Sequence, residues 1–191
     1  MTLTAVSCTS SKSMRAGFRA SDLNSILELT DCVSDEDGHG CLVDGRAMLR
    51  ATRMAVTRSK RSGFVVRERA HAVLNRCSSK ACGSHGVCCG DKESKVHAEG
   101  CTFQSNGRCG VSAEGDAEVT VEGCHSSQHS IAAGFFAVDR ARMKVRCSVS
   151  EGDQHGCGVL TGGQLTMEDV TVNGTLQSLP LRDTRELGRP I

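Results

Sequence analysis

The chain has 191 residues with 23 Lys+Arg against 22 Asp+Glu, a formal net charge of +1, which excludes a chain basic throughout, as many nucleic-acid binders are, and an acidic solvating tail. It carries 21 Gly and 12 Cys but only 2 Pro, 5 Phe and no Trp or Tyr, so the large aromatic anchors of an ordinary core are missing. No apolar run approaches the roughly 18 residues of a membrane helix, and the start MTLTAVSCTSSKSMRAGF has no apolar h-region, so no secretory signal is read and reduced thiols in a cytoplasmic setting are expected.

The chain opens on an alternating stretch, TLTAVSC (2–8), then a Ser-rich polar turn, then Gly17-Phe18. Alternation of period 2 over about 4 to 8 residues marks a strand with one buried face. LNSILEL (23–29) resembles a helical turn in isolation but holds the place that strands fill elsewhere, and Cys32 closes it. The cycle then returns: GCLV at Gly40, GFVV at Gly63, Cys77, Gly86-Val87, Cys101, Gly110-Val111, VTVEGC (119–124), GFFAV at Gly134, MKVRC (143–147), GCGVL at Gly156 and LTMEDVTV (165–172). Cys8, Cys32, Cys77, Cys101, Cys124 and Cys147 stand 24, 45, 24, 23 and 23 apart, the 45 being two periods with Ala55 in the skipped place. Gly17, Gly40, Gly63, Gly86, Gly110, Gly134 and Gly156 stand 23, 23, 23, 24, 24 and 22 apart, and Ala47, Ala70, Ala117 and Ala141 follow seven residues behind four of them.

A unit of about 23 residues with two or three short strands is one turn of a coil, which buries its inward side chains only by stacking on an identical neighbour. Like residues then pair as parallel strands about 4.8 Å apart, and seven to eight coils rise about 35 Å. The crossover rule makes the winding right-handed. Leucine-rich repeats want several leucines per unit, and helical repeats run to about 33 to 47 residues with three-four spacing; neither fits. The expected fold is all-β, a right-handed parallel β-helix over residues 1–174, with 175–191 a C-terminal tail whose Pro180 and Pro190 stop strand continuation and which caps the end or stays disordered. The chain starts at once with a repeat strand, so a second chain or a preceding part of a longer β-helix is expected over that end.

The units 123–145 and 147–172 resemble right-handed β-helix repeats of the pectate-lyase-like superfamily, and its repeat class in carbohydrate-binding proteins, sugar hydrolases and certain F-box substrate adaptors. The likeness covers roughly residues 1–174. It implies the fold and leaves the function among lyases, hydrolases, epimerases and non-catalytic scaffolds.

Four groups of residues carry chemistry. Asp35-Glu36-Asp37-Gly38-His39-Gly40 is similar to the paired aspartates and glycine-flanked histidine of polygalacturonases, which the resemblance would make acid–base groups. In that family the motifs lie on separate coils; here they are contiguous, and His-Gly recurs at His85-Gly86 and His155-Gly156. The pair is therefore read as a turn element and no catalytic residue is assigned.

Asp22, Glu68, Asp91 and Asp139 form an acidic column, with Arg46, Arg69, Lys92 and Arg140 one place on. The resemblance would make the acids a calcium or uronate site; the matching cations favour a self-neutralised edge. Arg46, Arg50, Arg53, Arg58, Lys60, Arg61, Arg67 and Arg69 face Glu68 alone over 46–69, an anion-binding candidate in which the lack of Tyr and Trp disfavours nucleic acid. Cys77, Cys82, Cys88 and Cys89 with His85 have the ligand types for zinc without its spacing; Cys77, Cys101, Cys124 and Cys147 are instead expected as an inward ladder filling a narrow core.

No metal or cofactor is assigned. The expected function is a non-catalytic binding or scaffold surface for a protein or an anionic glycan, without membrane contact, in a monomer or part of a longer chain. The alternative is a polysaccharide-active lyase or hydrolase.

Overall fold

The computed structural model describes residues 1–131 and 133–178, and among them every regular element is a strand. Each coil lays a five-residue strand on a first face, a three-residue strand on a second and a strand of three to six residues on a third. The first-face strands Thr2–Val6, Ile26–Thr30, Met48–Thr52, His71–Asn75, Lys95–Glu99, Glu118–Glu122, Arg142–Arg146 and Gln164–Glu168 pair in that order, all parallel. This is the all-β parallel β-helix that the repeat implies. The second and third faces join into one 14-stranded sheet because Val149–Leu160, 12 residues long, runs round the corner between them.

Register puts like above like. Leu3, Leu27, Leu49, Ala72, Val96, Val119, Met143 and Leu165 form one inward file of the first face, and Ala5, Leu29, Ala51, Leu74, Ala98, Val121, Val145 and Met167 the other. Phe64, Val87, Val111 and Phe135 continue the core on the third face. A core about one side chain deep is filled by Ala, Cys, Val and Leu, which is why the chain needs so few aromatics.

Three corners turn the chain, and each uses left-handed backbone. Between the first and second faces stand Ser7, Asp31, Arg53, Arg76, Gly100, Gly123, Cys147 and Asp169; between the second and third stand Lys12, Glu36, Arg58, Ala81, Ser105, Gln128 and Gly152, all at positive φ. One such residue reverses side-chain alternation at a bend without breaking the stack.

The structure alters three details. The Ser-rich segment after each cysteine is not only a turn: it contains the second-face strands, such as Thr9–Ser11, Ser78–Lys80 and His125–Ser127. The backbone places Cys8, Cys32, Met54, Cys77, Cys101, Cys124 and Ser148 in one column, each carbonyl receiving the N–H that opens the next coil's second strand. Met54, not Ala55, thus holds the skipped place, and Cys147 leaves the ladder for an exposed left-handed corner while Ser148 points in. The last strand, Thr171–Ser178, extends past position 174, and the tail segment 179–191 lies outside the described residues.

Candidate functional site

The acidic segment 35–39 is divided by the corner on which it lies. Asp35 faces out, accepts from Thr57 Oγ1 at 2.5 Å and pairs with Arg58; the Thr57 bond, then Arg58, holds its carboxyl below the usual range. Glu36 occupies the left-handed position. Asp37 turns inward, fully buried, and accepts the Ser13 N–H and the Ser34 hydroxyl, each at 2.6 Å. Three directions within three residues give no convergent acid pair.

Asp37 is one step of a mostly polar column at this second corner, made of the half-buried Ser13 and the buried Asp37, Ser59, Cys82, Asn106, His129 and Asp153. Asn106 Oδ1 accepts the Cys82 N–H at 3.1 Å, His129 Nδ1 accepts the Asn106 N–H at 3.1 Å, and Asp153 Oδ1 accepts the His129 N–H at 2.7 Å. Ser126, His129 and Asp153 have the residue types of a nucleophile relay but not its wiring. Because Nδ1 is an acceptor, the ring proton sits on Nε2 and is donated to Ser126 Oγ at 2.9 Å, while Ser126 donates to Gly134 O. Asp153 holds a backbone N–H instead of the imidazole, and all three side chains are buried. Burial also pushes the His129 ring below its ordinary pKa, so it stays neutral.

The repeat glycines face this column or the inward residues of the second-face strands just before it. A Cβ on Gly110 would lie 2.0 Å from Ser126 Oγ, and one on Gly40 2.3 Å from Val56 Cγ1. His39, His85 and His155 precede such glycines. His85 is buried, with Nε2 3.8 Å from Glu114 Oε1 and its pKa pushed down to about 3 by desolvation. Cys77 and Cys82 line two different inner corners; in the strand Val87–Cys89 they are followed by Cys88, facing out beside Glu114, and Cys89, facing in. The side chains considered for zinc are thereby placed on different walls.

At the corner between the third and first faces, Asp22, Glu68, Asp91 and Asp139 occupy left-handed turn positions where other coils have Gly45 and Gly115. Asp and Gly suit that backbone, which accounts for Asp22, Asp91 and Asp139 without a ligand, while Glu68 lies 3.9 Å from Arg67 Nε. Of its basic counterpart, Arg140 makes a two-pronged pair with Asp116 at 2.9 and 3.1 Å, and Arg69 Nε lies 3.5 Å from Glu93.

The basic block of 46–69 is spread over all three walls, and the acid-rich coil beneath meets much of it. Arg50 pairs with Glu28, Arg53 with both oxygens of Asp31, Arg58 with Asp35 and Glu36, and Arg67 with Asp44 and Glu68. Arg46, Lys60 and Arg61 make no ion pair among the described residues. Arg46 joins Arg69, His71, Glu93, Ala47 and Met48 around an open cleft of about 260 Å³ at the third corner. Lys60 and Arg61 lie elsewhere, on the loop of the second corner.

The stack adds cations to that loop which the sequence reading missed. Arg61 N donates to Gly38 O and His39 N to Arg15 O, while Lys12 N donates to Asp35 O and Arg58 N to Lys80 O. Lys12, Arg15, Lys60, Arg61 and Lys80 are thus gathered along one ridge; all are exposed and make no ion pair among the described residues. No recurrence in the sequence marked these cations: Lys12 and Arg58 follow second-face strands, but Glu36, Ala81, Ser105 and Gln128 hold the same place in other coils, and the loops also contain Gly38, Gly83 and Gly107. Those glycines are steric: a Cβ on each would come within 2.3 Å of a carbonyl oxygen of the loop below.

A family described as a right handed beta helix region matches residues 39–178. No curated protein and no solved structure matches the chain.

Proposed function

The chain belongs to the right-handed β-helix family, and on that premise we propose that it is a non-catalytic module that binds an anionic partner, protein or glycan, through its outer surface. One observation carries the reading. The residues with reactive chemistry are absorbed by the stack, either inward as in Ser126–His129–Asp153 or in pairs between coils as in Arg53–Asp31, whereas on the second-corner ridge Lys12, Arg15, Lys60, Arg61 and Lys80 are exposed and make no close ion pair among the described residues. Unpaired cations held on a rigid frame attract and orient an anion at no folding cost.

The test is binding of polygalacturonate, polyglutamate and a neutral glucan at low and high salt. Retention of one or both polyanions at 50 mM NaCl, its loss at 500 mM and no retention of the glucan is the expected result. Indifference to all three overturns the proposal.

A second reading rests on the cleft, where Arg46, Arg69 and Glu93 come from three successive coils and His71 supplies an imidazole. This is the mixture an acid–base site of the pectate-lyase-like kind would use. New unsaturated or reducing ends from polygalacturonate, with or without calcium, would replace the first reading by this one.

A further inference from the structure

We infer that the ridge of Lys12, Arg15, Lys60, Arg61 and Lys80 takes an extended acidic protein segment lying along the solenoid axis; this rests on the binding reading above and names its partner. The five cations belong to the first, third and fourth coils, and three coil rises span about 14 Å. An extended peptide covers that distance in about four or five residues at roughly 3.3 Å each, so alternate carboxylates of a short acidic run reach cations on different coils.

The ridge sorts polyanions by what it lacks. Phe64, Phe103, Phe135 and Phe136 are buried and Phe18 is half-buried, so no exposed ring offers a platform for a sugar or a base. What stands beside the cations is Met14, 90% exposed and next to Arg15, an unbranched apolar contact suited to a peptide side chain. The acids on the same ridge are already engaged: Arg58 pairs with Asp35 and Glu36, and Lys12 also acts on Asp35, which leaves Arg15, Lys60, Arg61 and Lys80 as the ridge's surplus positive charge. An incoming carboxylate therefore meets little like charge. The loops that carry the cations are fixed by coil-to-coil backbone bonds, such as Lys60 N to Asp37 O at 2.8 Å and Arg61 N to Gly38 O at 2.9 Å, so the spacing of the backbone positions is set before binding.

The experiment measures binding of a fluorescent octaglutamate peptide, with polygalacturonate and a single-stranded oligonucleotide of equal charge as competitors, to the whole chain and two variants. Lys60→Glu/Arg61→Glu reverses the centre of the ridge; Arg142→Gln changes a paired cation of the first face. Octaglutamate binding weakened about tenfold or more by the reversal, and unchanged by Arg142→Gln with both variants folded by circular dichroism, is the expected result. If the reversal fails to fold, Lys80→Gln with Arg15→Gln reads the same ridge and should weaken binding about threefold or more. Peptide binding insensitive to these changes overturns the inference. So does binding of polygalacturonate or the oligonucleotide alone, which for the glycan leaves the broader proposal standing. Absence of binding by every probe removes both.

Discussion

Two corners of each coil solve one problem with different chemistry. At both, a left-handed residue is followed by an inward one, and in several coils its N–H is received by the inward side chain of the next coil. At the first corner the acceptors are weak: Cys101 N donates to Cys124 Sγ at 3.3 Å and Cys124 N to Ser148 Oγ at 3.1 Å. The thiols in turn lie 3.3 to 3.5 Å from carbonyls, as Cys124 does from Ala98 O and Glu122 O. At the second corner the acceptors are Asp37, Asn106, His129 and Asp153. The first corner is therefore a small, polarisable, nearly apolar file, and the second a polar file whose strength depends on which residue each coil supplies. A buried N–H without a partner costs about 1–3 kcal/mol, so the polar file sets more of the stack's stability than its size implies.

Glycine substitution breaks the comparison most severely. Gly110 faces the polar file, where an added Cβ would stand 2.0 Å from Ser126 Oγ, 2.7 Å from Gly134 O and 2.8 Å from His129 Nε2. Gly123, on the first corner at φ +58, has its nearest such atom at 4.0 Å. Gly110→Ala should cost about 3 kcal/mol or more, through a clash with backbone that cannot retreat. Gly123→Ala should cost about 1 kcal/mol, the left-handed penalty alone. Urea midpoints of the two variants measure the difference; equal losses would mean that the corners do not differ in packing.

Acid should act next most strongly, and on the second corner's side of the molecule. His129 stands in the polar file and His85 just beyond its own corner, and burial lowers the pKa of each, that of His85 to about 3. A histidine neutral in the native state and titrating near 6.5 when unfolded contributes stability present in full above about pH 6.5 and lost as pH falls towards the folded value. At pH 4.5 the two-unit gap for His85 corresponds to roughly 2–3 kcal/mol. Stability measured by urea at pH 7.5 and 4.5 should fall by about that much. His85→Gln should flatten the profile, whereas Cys124→Ser should leave its shape unchanged. A profile unmoved by His85→Gln would detach acid sensitivity from the buried imidazole.

The same contrast explains what could be read in the sequence. The glycine beat set the coil register correctly because each of those residues faces a crowded corner, so sterics fixed its spacing. The cysteine beat set the period but missed single places, because a weakly bonding inward position accepts Cys, Met or Ser. Met54 and Ala55 are adjacent and both apolar, and Cys147 sits one residue before Ser148, so spacing alone did not separate column from corner. The second-face strands were hidden for the opposite reason: the inward residues of four of them, Ser34, Ser79, Ser126 and Ser150, are buried but polar, which inverts the alternation by which strands are recognised, while Val56 and Phe103 keep it. The basic block of 46–69 was plain as composition. Its pairing with the acids of residues 28–44 was not, since each of those contacts joins residues about one coil apart and depends on exact register.

The polar file also contains its own unfilled step. Ser59 follows Asp37 in the column, as Lys60 N bonded to Asp37 O requires, and its buried Oγ has no partner. The serine is one or two bonds shorter than the Asp, Asn and His that receive an N–H elsewhere in the file. Ser59→Asn should bring an amide oxygen to the Asp37 N–H and raise stability by about 1 kcal/mol, the net worth of a buried hydrogen bond. Asn106→Ala, which removes the acceptor for Cys82 N and Ser79 Oγ, should lower it by about 2 kcal/mol. The matching change at the first corner, Ser148→Asn, meets a column packed around Cys124 and should give no gain. If Ser59→Asn destabilises while Asn106→Ala is neutral, side-chain acceptors are not what holds this corner, and its polarity must be assigned to solvent reaching the loop.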